Sequence, residues 1–185
     1  GKFLIASPGI SDPRFARCLI YMISDNEEGS MGIIVNKPAK NMNISNIFEN
    51  LSEKNLKFLN KPTVFYGGPV ELDKGFILHS DDYNSKEEKK LLKNGLMLSS
   101  NLEILKDIAI GKGPSKSILA IGYSGWYKRQ LDGELKQNTW FEADLDPEIL
   151  FLADTKKKWE KALHKVGINK AKINSSNFSS SSGSA

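Results

Sequence analysis

Cys18-Leu19-Ile20-Tyr21-Met22-Ile23-Ser24, then Asp25-Asn26-Glu27-Glu28-Gly29-Ser30, then Met31-Gly32-Ile33-Ile34-Val35-Asn36-Lys37 is the stretch from which the fold is read. Two near-continuous apolar runs of strand length flank six residues of turn character. The spacing predicts an antiparallel hairpin, Cys18–Ser24 with Met31–Lys37, ended by Pro38 because proline cannot continue a ladder. Upstream, Lys2–Ser7 has the same Ile/Leu/Phe character and reads as a further strand.

Downstream the pattern changes repeatedly. Asn43–Leu51 places Ile44, Ile47, Phe48 and Leu51 at the spacing of one helical face. Thr63–Tyr66 and Gly75–His79 read as short strands joined through Gly67-Gly68-Pro69, where glycine permits positive φ. Residues 81–93 read as a charged surface excursion with some helix, and Leu96–Ser99 as a short strand. Ser100 followed by Glu103 is a capping-box pattern for a helix carrying Leu102, Leu105 and Ile108, stopped at Gly111-Lys112-Gly113-Pro114. Ser117–Tyr123 reads as a buried strand, Gly125–Gln137 as a short helix and Trp140–Leu145 as a strand. Asp146-Pro147-Glu148 is a helix start: an N-cap acceptor, proline in the first turn and an acid beside the positive helix end. Thr155–Val166 is amphipathic, with Trp159, Leu163 and Val166 inward and the lysines outward. Strands and helices do not alternate regularly, so the expectation is α+β, with Gly/Pro corners curling the sheet toward a barrel. Residues 1–173 are expected to form one domain, followed by a disordered Ser/Asn-rich tail at 174–185.

Composition narrows the function classes. The 185 residues are 39% apolar and 26% charged, as expected of a globular domain. No apolar run approaches the roughly 20 residues that span a bilayer, and the chain opens on a strand-like segment, so a cytoplasmic location and no membrane partner are expected. The single cysteine, Cys18, sits in an apolar run and reads as a buried thiol. The net charge of +4 is unevenly placed. Residues 156–172 hold seven lysines against Glu160, whereas residues 1–155 hold 19 basic and 21 acidic residues. Nucleic acid is therefore not expected to bind the body, and only the lysine-rich C-terminal helix offers phosphate contacts, with a solvated helix face as the plainer reading.

Several stretches invite a chemical reading. Gly122-Tyr123-Ser124-Gly125-Trp126 lies between a predicted strand and a predicted helix, as a hydrolase nucleophile elbow does, but Trp126 stands where that motif requires glycine. A base for Ser124 could come only from His79, since His164 lies on the lysine face. His79 itself reads either as an acid/base group or as a strand-end histidine bonded to backbone. Glu142, Asp144 and Asp146 alternate and could share a face, yet no further oxygen ligands converge, so no metal is predicted. Gly111–Ser117 superficially suggests a phosphate loop, but a helix precedes it and a strand follows, the reverse of the required order. No cofactor is expected.

Five segments together resemble one bacterial family. They are Gly1–Gly9 with Asp12-Pro13-Arg14-Phe15; Glu28–Pro38; Val64–Val70; Gly75–Ser80; and Ile121–Trp126 with Gln130-Leu131. The chain resembles the YqgE/AlgH family from its first residue to about Ile168. The resemblance implies an α+β fold in which a bifurcated, strongly bent, mostly antiparallel sheet forms a pseudo-barrel with helices packed outside. It implies no particular reaction, and one branch of the family is labelled a transcriptional regulator. Ser124 replaces a more usual alanine of the family, Cys18 replaces a small residue that is not cysteine, and Arg129 replaces a glycine, which weakens an enzymatic reading.

The function expected from the sequence is therefore a non-enzymatic binding or regulatory accessory protein with a protein or small-molecule partner. Its surface is expected from polar and aromatic residues at strand ends: Arg14, Asn36, Glu71, His79, Tyr123 and Trp126. The alternatives are a hydrolase-like enzyme using His79 and a transcriptional regulator.

Overall fold

A computed structural model describes residues 1–40, 42, 62–84 and 90–168. The segments predicted as a helix at 43–51 and as a tail at 174–185 lie outside the described residues.

The hairpin forms as the patterning predicts, from β2 (Leu19–Asn26) and β3 (Gly29–Ile34) in antiparallel register, Ile20 opposite Ile34 and Asn26 opposite Gly29. The turn is tighter than its polar sequence suggests. Asn26 Oδ1 accepts the Glu28 N–H at 2.9 Å, so the strands extend to Asn26 and Gly29 and only Glu27-Glu28 remain as loop. β1 (Lys2–Ala6) lies between β2 and β9 (Trp140–Asp144). Farther along come β4 (Val64–Tyr66), β5 (Val70–His79), β6 (Lys90–Leu91), β7 (Met97–Ser99) and β8 (Ser117–Tyr127). Among the described residues nine strands form one sheet in the order β6-β7-β5-β8-β3-β2-β1-β9, with β4 joined to β8. The α-helices among the described residues are α1 (Leu102–Ala109), α2 (Gln130–Lys136), α3 (Pro147–Leu150) and α4 (Thr155–Lys165). The fold is α+β: a mostly antiparallel, strongly curled half-barrel sheet with helices packed against it.

β8 is the strand on which the sheet divides. Its first half lies between β5, antiparallel, and β4, the one parallel neighbour; its second half pairs with β3 through Ser124 opposite Gly32 and Trp126 opposite Ser30. Between the halves Gly122 takes φ +70°, and Gly68, at φ +152°, lies against the Tyr123–Ser124 peptide. This pairing overturns the helix expected from Gly125. The strand continues to Tyr127 and α2 begins at Gln130, because β3 supplies a ladder that local sequence does not reveal. For the same reason β5 runs back to Val70, with an irregularity between Val70 and Gly75 in which Glu71 takes φ +48°. The cap of α1 is Asn101, whose Oδ1 accepts the Ile104 N–H at 3.0 Å, rather than Ser100. Asp146 caps α3 as predicted.

Both faces of the sheet are covered, which explains the near-continuous apolar runs. Phe3, Ile5, Leu19, Tyr21 and Ile33 meet Trp159, Ala162 and Leu163 of α4 on one side. Leu4, Ala6, Ile20 and Ile34 meet Trp126, Leu131 and Trp140 on the other. Cys18 belongs to the second set; burial pushes its thiol up to about 11, which keeps it protonated and unreactive at neutral pH.

The expectation that every lysine of α4 faces outward is corrected at Lys158, which is 2% exposed. Its Nζ donates to the carbonyls of Val35 at 2.9 Å and Leu150 at 2.7 Å and stands 5.1 Å from the Phe65 ring centroid. The side chain thus ties α4 to the segment leaving β3 and to the end of α3. Burial lowers its pKa to about 8. In the unfolded chain the group stays protonated to about pH 10.4, so between those values the unfolded state holds more protons and stability rises with pH. Below about pH 8 both states are charged and that gain is absent. Urea midpoints measured at pH about 7.5 and about 9.5 are expected to increase for the native protein and to change much less for Lys158→Met. Parallel pH profiles for the two proteins would show that Lys158 is not the responsible group.

Candidate functional site

The six residues expected at the surface separate into two groups. Arg14 is exposed and forms a fork with Asp12, Nε at 3.1 Å and Nη2 at 2.7 Å, which lowers the Asp12 pKa and raises that of Arg14. Glu71 is exposed and pairs with Lys74 at 2.8 Å. Tyr123 is half-buried, its ring edge-on to Phe76.

Asn36, His79 and Trp126 are buried, which corrects the surface expectation for each. Asn36 Oδ1 accepts the Leu19 N–H at 2.8 Å and its Nδ2 donates to Arg17 O at 2.8 Å, bridging two chain segments where the ladder ends. His79 Nδ1 lies 2.7 Å from Ser80 O, so this nitrogen carries the proton and donates; Nε2, 3.0 Å from Ser99 Oγ, accepts. The backbone-bonded reading of His79 is the one the geometry matches. Ser124 Oγ donates to Gly67 O inside the sheet fork. His79 stands opposite Ser117, and Ser124 lies seven residues farther along β8, roughly 20 Å at strand rise. The serine–histidine pair of a hydrolase does not assemble.

Trp126 is 7% exposed, because β8 turns it under α2. Its Nε1 donates to Glu134 Oε2 at 2.8 Å, and Trp140 Nε1 donates to the same oxygen at 2.7 Å. Gln130 Nε2 donates to Glu134 Oε1 at 2.9 Å, while Gln130 Oε1 accepts the Tyr127 N–H at 3.0 Å. Edge-to-face stacking of Trp126 on Trp140 completes a buried aromatic–carboxylate knot. Through this knot Trp126 and Gln130 both organise the strand-to-helix junction.

The remaining motifs disperse. Glu142 pairs with Lys2 at 3.5 Å, and Asp146 caps α3 and pairs with Lys165 at 3.0 Å. Among the described residues no three His, Cys, Asp or Glu side chains converge as a metal site. In Gly111–Ser117 the Ser115 N–H donates to the protein's own Asp82 carboxylate, which makes the loop a poor cradle for an anion. On α4, Lys157 pairs with Asp154 and Lys165 with Asp146, so the lysine face is partly neutralised.

What the geometry does assemble is a cleft on the fork. Tyr123, Gly125 and Tyr127 alternate along β8 and share the face opposite Trp126. Met31 stands opposite Gly125, and Gly29 opposite Tyr127, on β3. The cleft they outline, closed by Val70, Ser24 and Asn26, measures about 500 Å³. Two glycines form its floor, and Tyr127, 87% exposed, forms its outer wall. Tyr127, Gly125 and Met31 were not anticipated as site residues. Their signal, aromatic-glycine-aromatic alternation, becomes visible only once Gly125–Tyr127 is known to be a strand.

A forked, curled, mostly antiparallel sheet carrying a glycine-floored aromatic cleft at its strand junction defines a bent-sheet α+β protein. The sequence profile of the AlgH-like family (DUF179) matches residues 3–171. The chain belongs to that family. It is 44% identical over 170 residues to a UPF0301 protein of Ruegeria pomeroyi, covering 91% of this chain and 92% of the relative. It is 39% identical over 183 residues to a UPF0301 protein of a Methylobacterium species, covering 95% and 87%. The solution structure of AlgH from Pseudomonas aeruginosa superposes with a TM-score of 0.76 at 34% identity, covering 100% of this chain and 94% of that one. A crystal structure from Corynebacterium diphtheriae, at 20% identity and TM-score 0.67 over 89% and 85% of the chains, shares the fold. Among the described residues no helix is long and apolar enough to cross a membrane.

Proposed function

We propose that the protein is a non-catalytic binding module, an accessory or regulatory protein of the bacterial cytoplasm whose ligand lodges between Tyr123 and Tyr127. The observation that carries this reading is the cleft on the face of β3 and β8 opposite α2, walled by two tyrosines and floored by Gly29 and Gly125. Tyrosine supplies a large contact area with few rotatable bonds, and such side chains anchor interfaces. The residues that first suggested catalysis have structural duties instead: His79 is held by Ser80 and Ser99, and Ser124 by Gly67. A cytoplasmic setting agrees with the one cysteine being a buried thiol.

The photo-crosslinking residue p-benzoylphenylalanine, which keeps an aromatic ring at the cleft's outer wall when placed at Tyr127, is expected to give a discrete product in growing cells. The same residue at Lys136, exposed on α2, is expected to give none. Adding Gly125→Val to the first protein is expected to remove the product by filling the cleft floor. Identical products from both positions, or a product indifferent to Gly125→Val, would refute the cleft as the binding site.

A further inference from the structure

The backbone beside the cleft narrows the class of ligand. A Cβ on Gly29 would stand 2.5 Å from the Trp126 carbonyl oxygen, so that carbonyl faces β3. In a strand the next residues on either side then direct their amide groups to the opposite edge. On that edge Tyr127 N–H is taken by Gln130, whereas the N–H and C=O of Gly125 face outward. β5 pairs with β8 only as far as Val70 opposite Tyr123, and among the described residues no strand continues beyond it. Here an open ladder edge adjoins the cleft.

Charge then selects among extended segments. The turn at the cleft's end carries Asp25, Glu27 and Glu28, and the irregular stretch after Val70 carries Glu71 and Asp73. Against these five carboxylates stand Lys74 and Lys128, already paired with Glu71 and Glu27, and the exposed Arg129 beside Lys128, so negative charge still prevails. The rim is therefore net negative.

Resting on the cleft reading above, we infer that the ligand is an extended, arginine-bearing segment of a partner protein, added as a strand to the open edge of β8 with its guanidinium laid over Gly125 between Tyr123 and Tyr127. Cross-strand partners share a face, so the residue opposite Gly125 projects its side chain onto the cleft floor. An arginine there stacks its planar head on tyrosine faces and extends across β3 toward the acidic turn, while its backbone completes the Gly125 hydrogen bonds. Lysine lacks the flat stacking surface, and an acidic segment would meet like charge. The absent side chain at Gly125 is what leaves room. A Cβ there would meet Tyr123 Cε2 at an ordinary 3.4 Å and no backbone, so the protein tolerates substitution that the ligand does not.

The test uses the full chain and a synthetic heptapeptide, acetyl-Ser-Val-Thr-Arg-Val-Thr-Ser-amide, with a twin carrying neutral citrulline for arginine. In a titration followed by amide NMR, the arginine peptide is expected to shift Gly29, Met31, Gly125 and Tyr127 and to slow exchange of the Gly125 N–H. The citrulline twin is expected to bind at least about ten-fold more weakly, the difference shrinking as salt is raised. Gly125→Val and Tyr127→Ala are each expected to abolish the shifts without altering the unfolding midpoint appreciably. Equal binding of the twin, or silence at these amides, overturns the inference. If the crosslink at Tyr127 still depends on Gly125 in that case, the cleft binds a partner of other chemistry. If that crosslink is also absent, the cleft reading falls with it.

Discussion

A single methyl group added at Gly68 is expected to destabilise the protein by about 3–4 kcal/mol, the sum of overpacking against rigid atoms and left-handed backbone strain. A Cβ at Gly68 would stand 2.2 Å from both C and O of Tyr123 and 2.4 Å from Ser124 N, all of them main-chain atoms at the point where β8 changes partners. Main chain held in a ladder on either side cannot withdraw as a side-chain tip can. The residue also sits at φ +152°, which L side chains rarely adopt. Urea unfolding of Gly68→Ala is the measurement, with Gly125→Ala, on β8 itself, as the control. The control has only an ordinary 3.4 Å contact and is expected to stay within about 1 kcal/mol of the native protein. Equal midpoints for native protein and Gly68→Ala would mean that the fork is not rigid.

Replacing Glu134 by alanine is expected to remove about 2–4 kcal/mol, because two indole N–H groups lose the one oxygen they share. The indoles cannot turn to water, since Trp126 and Trp140 are packed with Leu4, Ile20 and Leu131 on the α2 side of the sheet. Glu134→Gln keeps an acceptor oxygen in place and is expected to recover roughly half of the loss, the charged acceptor being the stronger one. Calorimetry reads the magnitude, and tryptophan emission reads the cause. The alanine variant is expected to shift emission to longer wavelength as the indoles loosen, while the glutamine variant stays near the native spectrum. If Glu134→Ala unfolds at the native temperature, the knot contributes no stability and the motif that contains Trp126 needs another explanation.

The hairpin of β2 and β3 was legible from residues 18–37 because both faces of the sheet are covered, so its strands are apolar wherever they pair. The start of α3 was legible for a comparable reason, since capping by Asp146 is settled within a few residues, and α4 was legible from its amphipathic spacing. Gly125–Tyr127 was misread as helix because Gly-Trp-Tyr has no decisive period of its own, and the strand that claims it, β3, is distant in sequence. The site followed the same division. Arg14, Glu71 and Tyr123 do reach the surface, but His79, Asn36 and Trp126, assigned there as polar or aromatic residues at strand ends, are buried. Their polar atoms are instead satisfied internally, by Ser99, Leu19 and Glu134 respectively.

Local chemistry thus determined the β2–β3 hairpin and the Asp146 cap of α3, because each depends on neighbours a few residues apart. Tertiary structure alone decided where β8 divides, why Lys158 lies inside, and that Gly125 is the floor of a cleft between two tyrosines. Those outcomes depend on which distant backbone supplies a hydrogen-bond partner or withholds one, and hydrophobic periodicity along a single strand carries no record of that choice.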